Sequence, residues 1–146
     1  MAILDKSKKA FIADRDELIH IGIDLPFHKS DKSEGWFAST TTTLEAVKQN
    51  LELLLQTQKG ERLMQPNLGL NLRRHLFEQY TEELRQTIQD EIVNTINVWL
   101  PFVQIVKLDV SLGGQDEFGK NTINIRIDFN LNKDPRNLES VSVNIK

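Results

Sequence analysis

The chain has 146 residues, a formal net charge of −3 and no cysteine. That length suits one domain with a single core, the mixed charge leaves no footprint for a nucleic-acid backbone, and the lack of thiols excludes disulfide staples and thiolate metal sites. No apolar run approaches the roughly 20 residues that span a bilayer, and the opening MAILDKSKKAFIADRDEL lacks the apolar stretch of a signal peptide.

Residues 1–16 read as a polar arm with Lys6, Lys8 and Lys9 close together, either solvated or ordered against a partner subunit. From Glu17 to Phe27, the apolar positions Leu18, Ile19, Ile21, Ile23 and Leu25 predict extended backbone ending at Pro26. His28 to Gly35 is a charged loop. Trp36 and Phe37 read as a hydrophobic cover over the first turn of the following helix in preference to a ligand-stacking platform. Thr40 to Thr43 read as capping residues.

Thr42 with Glu45 has capping-box spacing. Leu44, Val47, Leu51, Leu54 and Leu55 then form an apolar helical stripe, and Gly60 is placed to take the left-handed conformation after the last turn. Glu61 to Pro66 is too short and broken for another long element. Asn67-Leu68-Gly69 predicts a turn, and Asn71 a cap for a short helix whose apolar side is Leu72, His75, Leu76 and Phe77. Thr81 caps a further helix, with Glu82 and Glu83 at the positive end of its dipole. Leu84, Ile88, Ile92, Thr95, Ile96 and Trp99 keep helical spacing to about Leu100, where Pro101 stops it.

The last third changes period from 3.6 to 2. Val106, Leu108, Val110 and Leu112 alternate with polar residues, Gly113 to Asn121 is a long hairpin loop, and Ile123, Ile125, Ile127, Phe129 and Leu131 alternate again. Asn132 to Asn137 holds a turn at Asp134-Pro135, and Val141, Val143 and Ile145 mark a third strand. The predicted fold is α+β: two long helices and a short connector helix packed on a C-terminal three-stranded antiparallel meander, with an extended N-terminal arm. Residues 1–35 are assigned to arm and loop, residues 36–146 to one domain.

Little in the chain points to catalysis. A glycosidase needs two carboxylates roughly 5 to 9.5 Å apart. Glu61, Glu78, Glu82, Asp90 and Glu91 supply candidates by number, but most fall on polar helix faces. His20, His28 and His75 are scattered, without the spacing of a zinc site. No serine stands in a nucleophile elbow, and Gly113, Gly114 and Gly119 do not precede a helix as a phosphate cradle would. Asp128 to Asp134 lacks the fixed Gly and Glu of a calcium loop. No catalytic residue, cofactor, metal or small-molecule ligand is therefore expected, and neither nucleic acid nor membrane as a partner. The segment Leu138 to Lys146, through Val141, Val143 and Ile145, ends the sequence as an alternating strand. It is either an ordinary edge strand or one that accepts a strand from another chain.

The run LLLQTQKGERLMQPNLGLNLRRHLFE resembles the signature of the baseplate wedge, or sheath-initiator, family of contractile phage tails, which also serves type VI secretion systems and phage-tail-like bacteriocins. The matching positions include Thr57, Gly60, Glu61, Arg62, Pro66, Leu68, Gly69, Leu72, Leu76, Phe77 and Glu78. The resemblance implies a non-enzymatic virion protein of the tail baseplate, assembled in the host cytoplasm, whose partners are other wedge subunits and the tail sheath protein. It favours strand addition at the C-terminal sheet. An old family label, "lysozyme-like", implies the alternative of a peptidoglycan-cleaving enzyme. The family also carries a Glu-Pro-Arg motif implicated in docking on the wedge core. Here Leu100, Pro101 and Phe102 stand at those positions, so that either an apolar contact replaces the charged one or both flanking residues enter the core.

Overall fold

The structure, a computed structural model, describes residues 11, 13–15, 19–25, 27, 37–115 and 121–146. The expectations for the arm lysines, the His28 to Gly35 loop, Trp36 and the tip of the long hairpin loop lie outside the described residues. The chain divides into two compact units, Met1–Asn50 and Leu51–Lys146, each taken by itself.

In the first unit, β1 (Gly22–Ile23) pairs antiparallel with β2 (Ser39–Thr40). The helix α1 (Thr43–Gln56) starts directly after. Its expected cap forms, Thr42 Oγ1 accepting from the Glu45 N–H at 3.3 Å. A second cap comes from far away in sequence. Asp14 Oδ1 accepts from both the backbone N–H and the hydroxyl of Thr43, each at 2.7 Å, which sets a carboxylate at the positive end of the helix dipole. Phe37 corrects one expectation. Its ring packs at a tilt on Phe27, centroids 5.5 Å apart, and both rings are more than half exposed, so the contact it makes is with Phe27 and it is not buried as a cover would be.

The apolar stripe of α1 is buried at Val47, Leu51, Leu54 and Leu55. The helix has already ended at Gln56, with Thr57 donating from both its N–H and its hydroxyl to the Leu53 carbonyl. Gly60 does take a positive φ, +88°, but inside the following loop and not as the residue that closes the helix. Residues Leu72–Phe77 then form a 3-10 connector. Two expectations fail there. The Asn71 side chain makes no cap hydrogen bond, and Phe77 is 90% exposed. With three residues per turn, Leu72 and His75 eclipse on the inner side and Phe77 falls outside.

The helix α2 (Glu82–Trp99) follows the sequence closely: Thr81 Oγ1 accepts from the Leu84 N–H at 3.2 Å, and Leu84, Ile88, Ile92, Thr95 and Ile96 are buried. The strands β3 (Val103–Gln115), β4 (Asn121–Leu131) and β5 (Asp134–Ile145) form an antiparallel sheet of order β3-β4-β5. β4 is central, and its inward residues Ile123, Ile125, Ile127, Phe129 and Leu131 are all buried. Val141, Val143 and Ile145 of β5 continue that face. α2 lies against β3 and the connector against β4.

Three details of the meander depart from the expected boundaries. β3 begins at Val103, and its pairing slips between Ile105 and Lys107, leaving Val106 as a bulge. Val106 is consequently 58% exposed, although simple alternation placed it inside. A second slip at Gly113 lets β3 run on through Gly114 and Gln115, residues expected in the loop. The turn between β4 and β5 is Asn132-Lys133, so Asp134-Pro135 already opens β5.

The bulge separates two valines that the sequence treats alike. Val106→Asp should change unfolding free energy by less than about 0.5 kcal/mol, as at an exposed site. Val110→Asp, which buries a charge, should cost at least about 3 kcal/mol. Denaturant titration of the two variants checks this.

Candidate functional site

The signature residues build one loop, Gln58 to Leu70, clasped at its base. The Leu70 N–H donates to the Thr57 carbonyl at 2.9 Å, and Gln58 and Leu70 form a parallel bridge. Gly69 makes that approach possible. Its φ is +104°, and a Cβ there would lie 2.2 Å from the Thr57 carbonyl oxygen. Higher up, the Gly60 N–H donates to the Pro66 carbonyl at 2.8 Å, and Glu61 Oε2 accepts from the Gln58 N–H at 3.0 Å. Gly60, Glu61, Pro66 and Gly69 therefore hold the loop's shape. The Glu61 carboxylate is engaged with its own backbone.

At the tip, the Gln65 N–H donates to the Arg62 carbonyl at 3.2 Å, closing a turn whose two central residues are Leu63 and Met64. These are 96% and 92% exposed. The sequence analysis assigns neither residue a role, since Glu61 to Pro66 reads only as a stretch too short and broken for another long element. The available signal was their place between Gly60 and Pro66, in a stretch too short to build a packed element.

A second cluster joins the connector to α2. His75 is buried, with Glu78 Oε2 3.1 Å from Nδ1 and Glu91 Oε2 3.5 Å from Nε2. The second contact is too long for a good hydrogen bond, and Nε2 has no hydrogen-bond partner among the described residues. The other Glu91 oxygen faces Lys59 Nζ at 3.4 Å and the Asn71 N–H at 3.5 Å. Of the five acidic candidates, then, Glu78 and Glu91 converge, on an imidazole that fills the space between them. Glu82 pairs with Arg85, and Asp90 is exposed.

Leu100, Pro101 and Phe102 form the turn from α2 into β3. The Leu100 N–H closes the helix on Ile96, and the Val103 N–H returns to the Leu100 carbonyl at 3.0 Å. The Asn132 N–H donates to the Phe102 carbonyl at 3.1 Å, tying this turn to the β4–β5 hairpin. Leu100 is half-buried, Pro101 exposed and Phe102 44% exposed, near the exposed Val98.

The two sheet edges differ. At β3, Gln89 Nε2 of α2 donates to the Leu108 carbonyl at 3.3 Å. Among the described residues no strand lies on the outer side of β5. The side chains of Val141, Val143 and Ile145 are committed to the core. What β5 can offer a partner is its backbone, together with Ser140, Ser142 and Asn144 on the exposed face. That face also carries Lys107, Asp109, Arg126 and Asp128. Lys107 Nζ lies 2.7 Å from Asp109 Oδ2, a hydrogen bond and charge contact that hold the ammonium pKa above its ordinary value.

The family model for the baseplate wedge protein gp25 matches residues 41–136. The span takes in the whole clasped loop and Leu100 to Phe102 and stops before Val141. Three solved structures are similar. A putative tail lysozyme from Geobacter sulfurreducens is 17% identical, over 74% of this chain and 94% of that one, with a TM-score of 0.61. A chain of the anti-feeding prophage baseplate is 22% identical, over 82% and 79%, with a TM-score of 0.53. A chain of the post-contraction pyocin R2 baseplate is 20% identical, over 79% and 93%, at 0.46. At such identities the likeness is one of fold. No curated protein matches the chain significantly.

The clasp separates the two glycines. Gly69→Ala meets both a positive φ and a backbone oxygen, and should cost at least about 3 kcal/mol. Gly60→Ala, with nothing within 4 Å of the added Cβ, should cost only about 1 to 2 kcal/mol for its conformation. Thermal or denaturant unfolding of the two variants gives the order directly.

Proposed function

The chain belongs to the baseplate wedge protein gp25 family, and from that premise we propose that this structural subunit of a contractile tail docks on the wedge core and templates sheath assembly by strand addition. The outer side of β5 carries the reading. From Glu139 to Ile145 its pairing with β4 is uninterrupted, and the inward side chains are already buried. The strand is thus ordered before any partner arrives. Its outer edge offers backbone donors and acceptors in extended register, which is what an added strand pairs with. The tail sheath protein is the proposed donor of that strand. Docking on other wedge subunits is assigned to the turn Leu100-Pro101-Phe102, where an exposed proline and a part-exposed aromatic ring replace a charged motif with an apolar contact. Assembly would take place in the host cytoplasm, before the particle is complete.

One observation favours an enzyme instead: a structural neighbour is described as a putative tail lysozyme. The geometry of this chain speaks against it, because His75 lies between Glu78 and Glu91, where a glycosidic oxygen would need to sit. Clearing of a cell-wall suspension that is lost in Glu91→Gln would reverse that judgement.

Deleting β5 is not a usable test, since Val141, Val143 and Ile145 belong to the core. Hydrogen exchange is. On mixing with purified sheath protein, alternate amides between Glu139 and Ile145 should slow at least about tenfold, while the inner ladder is unchanged. Unaltered exchange along β5 would remove strand addition. In the same preparations Phe102→Asp should fold normally yet fail to stay on wedge subunits; full retention would remove the docking role.

A further inference from the structure

The Arg62–Gln65 turn places two large apolar side chains where turn chemistry does not want them. Corner positions of such turns favour Pro, Gly, Asn, Asp and Ser, which set the backbone angles or bond to it. Leu63 and Met64 do neither, and both are almost fully solvated. A floppy loop could hide such residues by collapsing onto the surface. This one is braced by the Gly60–Pro66 hydrogen bond, the Glu61–Gln58 bond and the clasp at Leu70, so the pair is held outward. Arg62 stands beside them, exposed, and among the described residues it meets no carboxylate. The only acid next to it in sequence, Glu61, is occupied by the Gln58 amide.

We propose that this turn is a docking knob: Leu63 and Met64 insert into an apolar socket that carries a carboxylate on its rim, on a different subunit of the same baseplate. Charge disfavours the apolar groove that a second copy of this chain would present. The groove of about 350 Å³ beside the end of β5 has Leu55, Leu70 and Leu72 in its lining and Arg73 among its other residues. It would set Arg62 against a like charge. An acidic rim removes that repulsion and supplies the partner that Arg62 lacks. The knob is separate from β5 and from Phe102, and it does not depend on strand addition.

The test uses baseplate particles prepared without this subunit and without sheath, so that binding along β5 does not contribute. Leu63→Ser combined with Met64→Ser should leave the unfolding temperature of the free protein unchanged, because both side chains are exposed. It should weaken binding to the particles by at least about a hundredfold, the loss expected when two large apolar side chains no longer leave water. Arg62→Gln should weaken it a few-fold and flatten its salt dependence. A photo-crosslinking residue at position 63 in complete particles should join to a different baseplate chain, at an apolar site with Asp or Glu alongside. Undiminished binding of the double variant, or crosslinks to sheath protein or to another copy of this chain, would overturn the proposal.

Discussion

Two-residue alternation across β3, β4 and β5 is the constraint from which the rest of the second unit follows. Every inward position of β4 is buried, so a slip of one residue would turn Ile123 to Leu131 out to water and bring Asn124, Arg126 and Asp128 inside. At roughly 1.5 to 3 kcal/mol for each large apolar side chain returned to water, such a slip would forfeit about as much as the entire stability of a domain. Register is therefore fixed internally. The helices need only cover the apolar face, and among the described residues no strand pairs with the outer side of β5.

Against that rigid sheet, the clasped loop solves a different problem. Thr57 and Leu70 bring the chain back on itself just after α1, and Gly69 allows an approach that any Cβ would block. The signature residues are thus mostly braces. Residues that supply the loop's shape and residues that would meet a partner alternate along it: Gly60 and Glu61 shape it, Arg62, Leu63 and Met64 face out, Pro66 and Gly69 shape it again. A family signature read as one functional unit conceals this division.

What was legible in the sequence was local. The Thr81 cap, the Leu84 to Ile96 stripe and the β4 alternation each depend on neighbours a few residues away, and each forms as read. What was not legible needs a second segment. Val106 is exposed because β4 pairs around it, a fact invisible in β3 alone. The carboxylate that caps α1 beside Thr42 is Asp14, from another part of the chain. Phe77 points outward because the connector winds as a 3-10 turn, which the i, i+4 pattern could not reveal. The candidate site divides the same way. Phe102 and the β5 edge are candidates by position alone, whereas Leu63 and Met64 stand out only once the Arg62–Gln65 turn and their exposure are seen.

The proposal of strand addition at the outer side of β5 is most directly tested by imaging the assembled particle. A cryo-EM map of the extended tail, resolved well enough to trace strands, should show a fourth strand from the tail sheath protein paired along Glu139 to Ile145. A map in which that side of β5 faces solvent, or is covered by a helix or by this chain's own N-terminal residues, would contradict sheath templating by strand addition.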